Sequence, residues 1–332
     1  MSMLKSLARA AACAAGGAVL GLAATAALAQ EMKFANYMAP THPYVAGAFD
    51  PFAAKVAEAT GGAVTVKVYN GGELGAGPAD QYARVVDGVA EFAFGLPGYT
   101  ASNFPMTLLT ELPGVLTEAE GTATIWKNIA LMQPEFERVQ LVGLWSNAQN
   151  VLYTRDKAVR SPADVAGMKI RVPSRNAGLV VEAWGGSPVS MPVNEIYNAL
   201  QTGVIDGAMI DGTATMAFKL GEVANFLTVG MDTTISPFFI IMNRDAFDGL
   251  SPEHQAAVLA VGQEVSVMGN AVQLAAAAKG IEAFGATEGK ELITLTAEEA
   301  AAFNALSAPV VAAVVAETGG NAQAVVDALK AR

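Results

Sequence analysis

The sequence predicts an α/β fold in two domains, and three observations carry that expectation. Strand-like, loop and helix-like segments alternate from Met32 to Gly98, the order of a mostly parallel sheet covered by helices. The chain has 332 residues, enough for two compact cores. After Ser251-Pro252-Glu253 the pattern turns almost wholly helical and alanine-rich, and no single linker divides what precedes it. Discontinuous domains are therefore expected: 30–153 mainly in one, 154–242 mainly in the other, and 243–332 packing as helices across both.

The first 29 residues stand apart. Lys5 and Arg9 precede an apolar or small-residue run over 10–28, and Ala27-Leu28-Ala29 puts small residues where a signal peptidase reads them, with cleavage before Gln30. A retained membrane anchor is the rival reading, since the run is nearly long enough to span a bilayer. The polar boundary at Gln30 favours export and cleavage. The sole cysteine, Cys13, falls inside this segment, so a chain starting at Gln30 carries no disulfide and no thiol chemistry.

From there the elements follow in order. Met32–Tyr37 reads as a strand. Residues 45–59 place Val45, Phe49, Phe52 and Val56 on one helical face, and Gly61-Gly62 ends that helix. Val64–Tyr69 alternates as a strand does. The glycine-rich run 70–77 is neither G-x-G-x-x-G nor a phosphate loop ending in Lys-Ser/Thr, so a tight turn is the favoured reading over a nucleotide site. A helix over 79–87 and a strand over 91–96 follow. Residues 115–135 read as helix, Val139–Trp145 and Val151–Thr154 as strands. Ser161-Pro162-Ala163-Asp164 opens a short helix with proline in its first turn. Beyond it, Lys169–Pro173, Val204–Ile210, Phe226–Val229 and Pro237–Asn243 are strands, with helices over 175–184 and 194–202.

Charge and composition exclude some functions. The formal net charge is -11, and removal of the leader makes it 18 - 31 = -13. A surface this acidic repels nucleic acid and anionic lipid. His42 and His254 are far apart, and no Cys/His cluster suggests a metal. No cofactor motif, serine elbow or Cys/His pair suggests an enzyme.

The most informative stretch is Ser161–Gly212. It contains Ser161-Pro-Ala-Asp-Val-Ala-Gly-Met-Lys-Ile-Arg-Val-Pro173, Gly186-Ser-Pro-Val-Ser-Met-Pro192, and Glu195-Ile-Tyr-Asn-Ala-Leu-Gln-Thr-Gly-Val-Ile-Asp-Gly207. In order and spacing these blocks resemble the DctP-like solute-binding subunits of tripartite ATP-independent periplasmic (TRAP) transporters. The resemblance implies a two-domain periplasmic clamshell closing about a hinge. It also implies a small organic acid as ligand, large and small membrane subunits as partners, and a monomer. The arginine of its Ile-Arg-Val-Pro block, here Arg171, is implied to clamp the ligand carboxylate, for which a guanidinium fork is suited.

Departures from the family's acidic-sugar binders narrow the ligand. Val151 stands where a second arginine is found, Val193 near an aromatic position, and Ile210 at an asparagine. The expected cleft lining is Tyr37, Met38, His42, Tyr44, Leu96, Tyr99, Trp145, Asn150, Met191, Val193, Ile210, Asp211 and Phe238 around Arg171, any one aromatic of which has a core role as its alternative. For Asp211 four roles stay open: accepting from a ligand hydroxyl, pairing an ammonium, orienting Arg171, or capping the helix near Thr213. Trp184 and Asp206 read as structural. The leading ligand is a monocarboxylate with an apolar or aromatic body. A C4-dicarboxylate, a zwitterion or amine, and the binding protein of an ATP-driven transporter are the alternatives.

Overall fold

The computed structural model describes residues 30–331. The expected signal segment, Cys13 included, lies outside them. In chain order the strands are β1 (Gln30–Ala35), β2 (Val64–Tyr69), β3 (Phe92–Gly95), β4 (Val139–Ser146), β5 (Val151–Thr154), β6 (Lys169–Val172), β7 (Ser187–Ser190), β8 (Gly207–Ile210), β9 (Phe226–Val229), β10 (Pro237–Asn243) and β11 (Glu291–Thr294). They form two sheets, ordered β2-β1-β3-β10-β4 and β11-β9-β5-β8-β6-β7. Each sheet is the centre of one lobe.

Neither sheet is purely parallel. β10 runs antiparallel to both β3 and β4 in the first. β5 runs antiparallel to both β8 and β9 in the second. The reason is topological. β5 enters from the first lobe just after β4, and β10 returns from the second just after β9. A strand that starts at the crossing runs away from the cleft, whereas its neighbours run toward it. Val151–Thr154 thus belongs to the second sheet and Pro237–Asn243 to the first. The chain changes lobes at 147–150 and at 230–236, earlier in each case than the expected boundaries after 153 and 242.

The first lobe's core is aromatic. Phe34 of β1 meets Phe49 and Phe52 edge-on, with ring centroids 5.2 and 5.7 Å apart. Phe52 lies on helix α1 (Asp50–Ala59), which a short π-turn over Val45–Phe49 leads into. Val45, Phe49, Phe52 and Val56 are all buried, as their spacing predicts. The glycine-rich loop is a buttress. Gly71 N–H donates to Met38 O at 2.8 Å and Gly72 N–H to Asn36 O at 3.0 Å, so it props the segment after β1. Both glycines have positive φ, +63° and +78°, which a side chain would strain.

The expected helix over 115–135 is interrupted. Helix α2 covers Gly121–Lys127 alone, and 3-10 turns at Ile129–Leu131 and Gln133–Phe136 follow. Pro134 has no N–H to continue an α-helix and sits in the first turn of the last piece.

Helix α3 (Arg175–Ala183) covers the second sheet, and Ser174 caps it by accepting from Ala177 N–H. Helix α4 (Pro252–Gly285) has 34 residues, a rod of about 50 Å. It lies on both lobes. At Gly262 an added Cβ would sit 2.0 Å from Val142 O of β4, and at Gly280 another would sit 1.9 Å from Gly212 O beyond β8. Helix α5 (Ala297–Thr318) packs on α3, where Trp184 Nε1 donates to Ser307 Oγ at 2.9 Å and its ring meets Phe303. Trp184 is core, as expected. Asp206 is structural too: its carboxylate accepts the N–H of Lys169 at 2.8 Å and starts β6.

Candidate functional site

The cleft between the lobes holds a cavity of about 400 Å³ of non-atom space, its opening to solvent included. Parallel strands end at the cleft, so the segments after β1, β3, β6, β7 and β8 supply the walls, as carboxyl ends of strands do in open α/β sheets. Tyr37, Met38 and His42 come from the segment after β1, and Leu96 and Tyr99 from that after β3. Phe238 comes from β10, Asn150 from the first crossing, and Val193, Ile210 and Asp211 from the second lobe. All of these were expected from the sequence, together with Arg171, which also lines the cavity.

Three expected residues are placed elsewhere. Trp145 and Tyr44 are fully buried in the first lobe's core, and the indole N–H donates to the Tyr44 hydroxyl at 3.0 Å. Met191 contributes its main-chain oxygen to Arg171 rather than its side chain to the wall. A strand's alternation says which residues share a face, but not which face meets the cleft.

Arg171 is the chemical centre. It sits on β6, is 1% exposed, and among the described residues no carboxylate lies within ion-pairing distance of it. Nε donates to Met191 O at 2.9 Å, Nη1 to Met209 O at 3.2 Å and Nη2 to the Tyr99 hydroxyl at 3.2 Å. A guanidinium has five N–H groups. Two therefore remain, one on each terminal nitrogen. Burial lowers the Arg171 pKa from its ordinary value, and Tyr99, Tyr37 and Asp211 partly offset that. The group stays a cation at any physiological pH.

Tyr99 extends this set of donors. Its oxygen accepts from Arg171 and from Val193 N–H at 3.0 Å, so its own hydroxyl proton is free to donate. Burial raises the pKa of both Tyr99 and Tyr37, which keeps them neutral donors. His42 Nδ1 accepts from Tyr44 N–H at 3.2 Å, which assigns the proton of the neutral ring to Nε2. Burial depresses its pKa to about 4, so it is uncharged at neutral pH.

Asp211 is held apart from Arg171 by its own donors. Thr213 N–H and Gln273 Nε2 donate to Oδ1, and Asn147 Nδ2 donates to Oδ2, all at 2.9 Å. Of its four open roles, helix capping is not seen: Asp211 closes a turn on Thr213 N–H, and Thr213 is itself the N-cap of the short helix Ala214–Ala217, with no side-chain cap bond. Burial raises its pKa, and these donors counter the rise.

Five cavity-lining residues were not foreseen as such: Asn147, Pro173, Phe218, Ser236 and Gln273. A signal for Gln273 exists. On the alanine-rich α4, the buried Ser266, Asn270 and Gln273 recur at helical spacing on one face, where an ordinary core would be apolar.

Residues 34–318 match the family model DctP, bacterial extracellular solute-binding protein, family 7. The chain belongs to that family. Its members are the substrate-binding proteins of transporters, not enzymes. A solute-binding protein of Albidiferax ferrireducens is 31% identical over 220 residues, 64% of this chain and 64% of the relative. The chain thus aligns with just under two thirds of that relative's length. The C4-dicarboxylate-binding periplasmic protein DctP of Rhodobacter capsulatus is 27% identical over 305 residues, 89% of this chain and 90% of the relative. A crystal structure of a TRAP solute binding protein from Rhodoferax ferrireducens T118, in complex with copurified benzoate, superposes with a TM-score of 0.85 at 28% identity. That match covers 91% of this family 7 chain and 97% of the other, so the two-lobed fold is shared throughout.

Proposed function

We propose that this family 7 protein is the periplasmic binding subunit of a TRAP transporter and captures a monocarboxylate with an apolar or aromatic body. One observation carries the reading: Arg171 is a buried cation that pairs with no protein acid and keeps two N–H groups open. A buried charge calls for a partner, and a ligand carboxylate supplies it. Tyr99 O–H adds a third donor.

The walls choose among acids. Leu96, Val193, Ile210, Phe218 and Phe238 are apolar. Arg171 is the one lysine or arginine among the residues lining the cavity, and Asp211 would repel a second carboxylate. A monoacid therefore fits better than the C4-dicarboxylate of the Rhodobacter relative, and benzoate, bound by the Rhodoferax protein, has the right chemistry. The two lobes close on the acid, exclude water and strengthen the ion pair. The membrane subunits then meet the closed form.

Titration calorimetry on refolded, ligand-stripped protein tests this with benzoate, phenylacetate, pyruvate and succinate. A monoacid is expected to bind in the micromolar range or tighter, and Arg171→Gln to weaken it about a hundredfold or more. Equal affinity of the variant, or binding confined to succinate, overturns the proposal.

A further inference from the structure

The cavity has a second polar group of residues, and it offers acceptors where the Arg171 side offers donors. Gln273 is 2% exposed on α4. Its Nε2 donates to Asp211 Oδ1 at 2.9 Å. Asp211 accepts N–H bonds on both oxygens, which an ionised carboxylate does, so the Gln273 amide must turn its nitrogen toward it. Its carbonyl oxygen Oε1 is then left buried with no hydrogen-bond partner among the described residues. An orphaned acceptor of this kind is rare in folded proteins and calls for a donor.

Two neighbours repeat the pattern. Asn150 Nδ2 donates to Thr234 Oγ1 at 2.8 Å and to Ser236 Oγ at 3.4 Å, which leaves its carbonyl oxygen as the free end. Asn147 Nδ2 is taken by Asp211, and its oxygen accepts just one long contact, 3.5 Å from the Tyr44 hydroxyl. All three amides line the same cavity as Arg171. Arg171 pairs in register with Ala208 on β8 and reaches Met209 O with Nη1, and Asp211 lies two residues beyond Met209 along the chain. The acceptors gather around that further point.

We infer that Gln273, oriented by Asp211 and supported by Asn147 and Asn150, recognises a hydroxyl group on the ligand, so that the ligand is a hydroxylated monocarboxylate. This rests on the reading of Arg171 as the carboxylate anchor. A hydroxyl suits the amides better than an ammonium. The one carboxylate present already holds three N–H donors, and desolvating an ammonium among apolar walls costs far more than desolvating a hydroxyl.

The test is a matched ligand series on the full mature protein. Benzoate and phenylacetate are titrated beside their ring-hydroxylated and ring-aminomethylated analogues, each position in turn, with wild type and Gln273→Leu. One hydroxy isomer is expected to bind wild type about tenfold to a hundredfold tighter than its parent acid, and Gln273→Leu to bring that ratio to about one, whatever it does to the parent's own affinity. If every ring hydroxyl weakens binding to wild type, the inference falls, whether or not the variant folds. If the advantage survives in Gln273→Leu, it falls as well. A Gln273-dependent gain for an aminomethyl analogue replaces the hydroxyl with an ammonium. If parent and hydroxylated acids bind alike, Gln273 is misread and Arg171 is not. If no acid binds at all, the carboxylate reading itself is gone.

Discussion

At the scale of single residues, the binding role proposed for Arg171 has a signature that a stabilising role lacks. A buried ion pair loses about 3–5 kcal/mol when one partner is removed. Arg171 has no such partner, so its loss removes a desolvated charge along with its three hydrogen bonds. Arg171→Met is expected to change the ligand-free unfolding free energy by no more than about 1 kcal/mol in urea titration while abolishing acid binding. A loss above about 3 kcal/mol would make the residue structural. Tyr99→Phe, which deletes the proposed ligand donor together with the acceptor of Arg171 Nη2 and Val193 N–H, is expected to weaken binding about tenfold or more. Arg171 was legible because its block, Lys169-Ile-Arg-Val-Pro173, carries a specific resemblance. Trp145 and Tyr44 were misplaced because an aromatic near a cleft strand looks the same from either face. Gln273 was not identified, since its meaning comes from Asp211, distant in sequence.

At the scale of elements, the short apolar strands were legible and their sheets were not. Val151–Thr154 and Pro237–Asn243 announce themselves by composition, but which lobe each joins depends on pairing with β8 and β9, or with β3 and β4. Such pairing is a tertiary property that no local pattern encodes. Alanine and glycine in α4 looked uninformative, yet Gly262 and Gly280 set how closely the rod approaches each lobe. Alanine at either position pushes a Cβ into a main-chain oxygen and is expected to cost about 1–3 kcal/mol in urea unfolding. The two should part in calorimetry. Gly280→Ala displaces Gly212, the neighbour of Asp211, and weakens ligand binding, whereas Gly262→Ala presses on β4 and leaves affinity nearly intact.

At the scale of the whole molecule, the lobes meet through more than the cavity. Glu111, fully buried at the end of a 3-10 turn beside the first lobe, accepts from Ser174 Oγ of the second at 2.8 Å, and Asn176 Nδ2 donates to Leu108 O at 3.2 Å. Burial pushes the Glu111 carboxyl up to about 8, so the folded protein keeps its proton at neutral pH. Unfolded, the same carboxyl releases it near 4.5. The folded chain therefore binds the extra proton between those values, and the Glu111 contribution to stability falls as pH rises from about 4.5 to about 8. Glu111→Gln is expected to flatten that decline in thermal melts between pH 5 and 8, and an unchanged slope assigns the effect to other groups. The two-lobed plan was legible from length and alternation, but this contact was not, because it joins segments that are neighbours only after both lobes have formed. The unpaired guanidinium also bears on how the transporter avoids wasted turnover. A closed carrier without cargo would have to shut a lone positive charge away from water. On the proposed reading, the arginine that selects the cargo thus also discourages an idle carrier from presenting itself at the membrane as loaded.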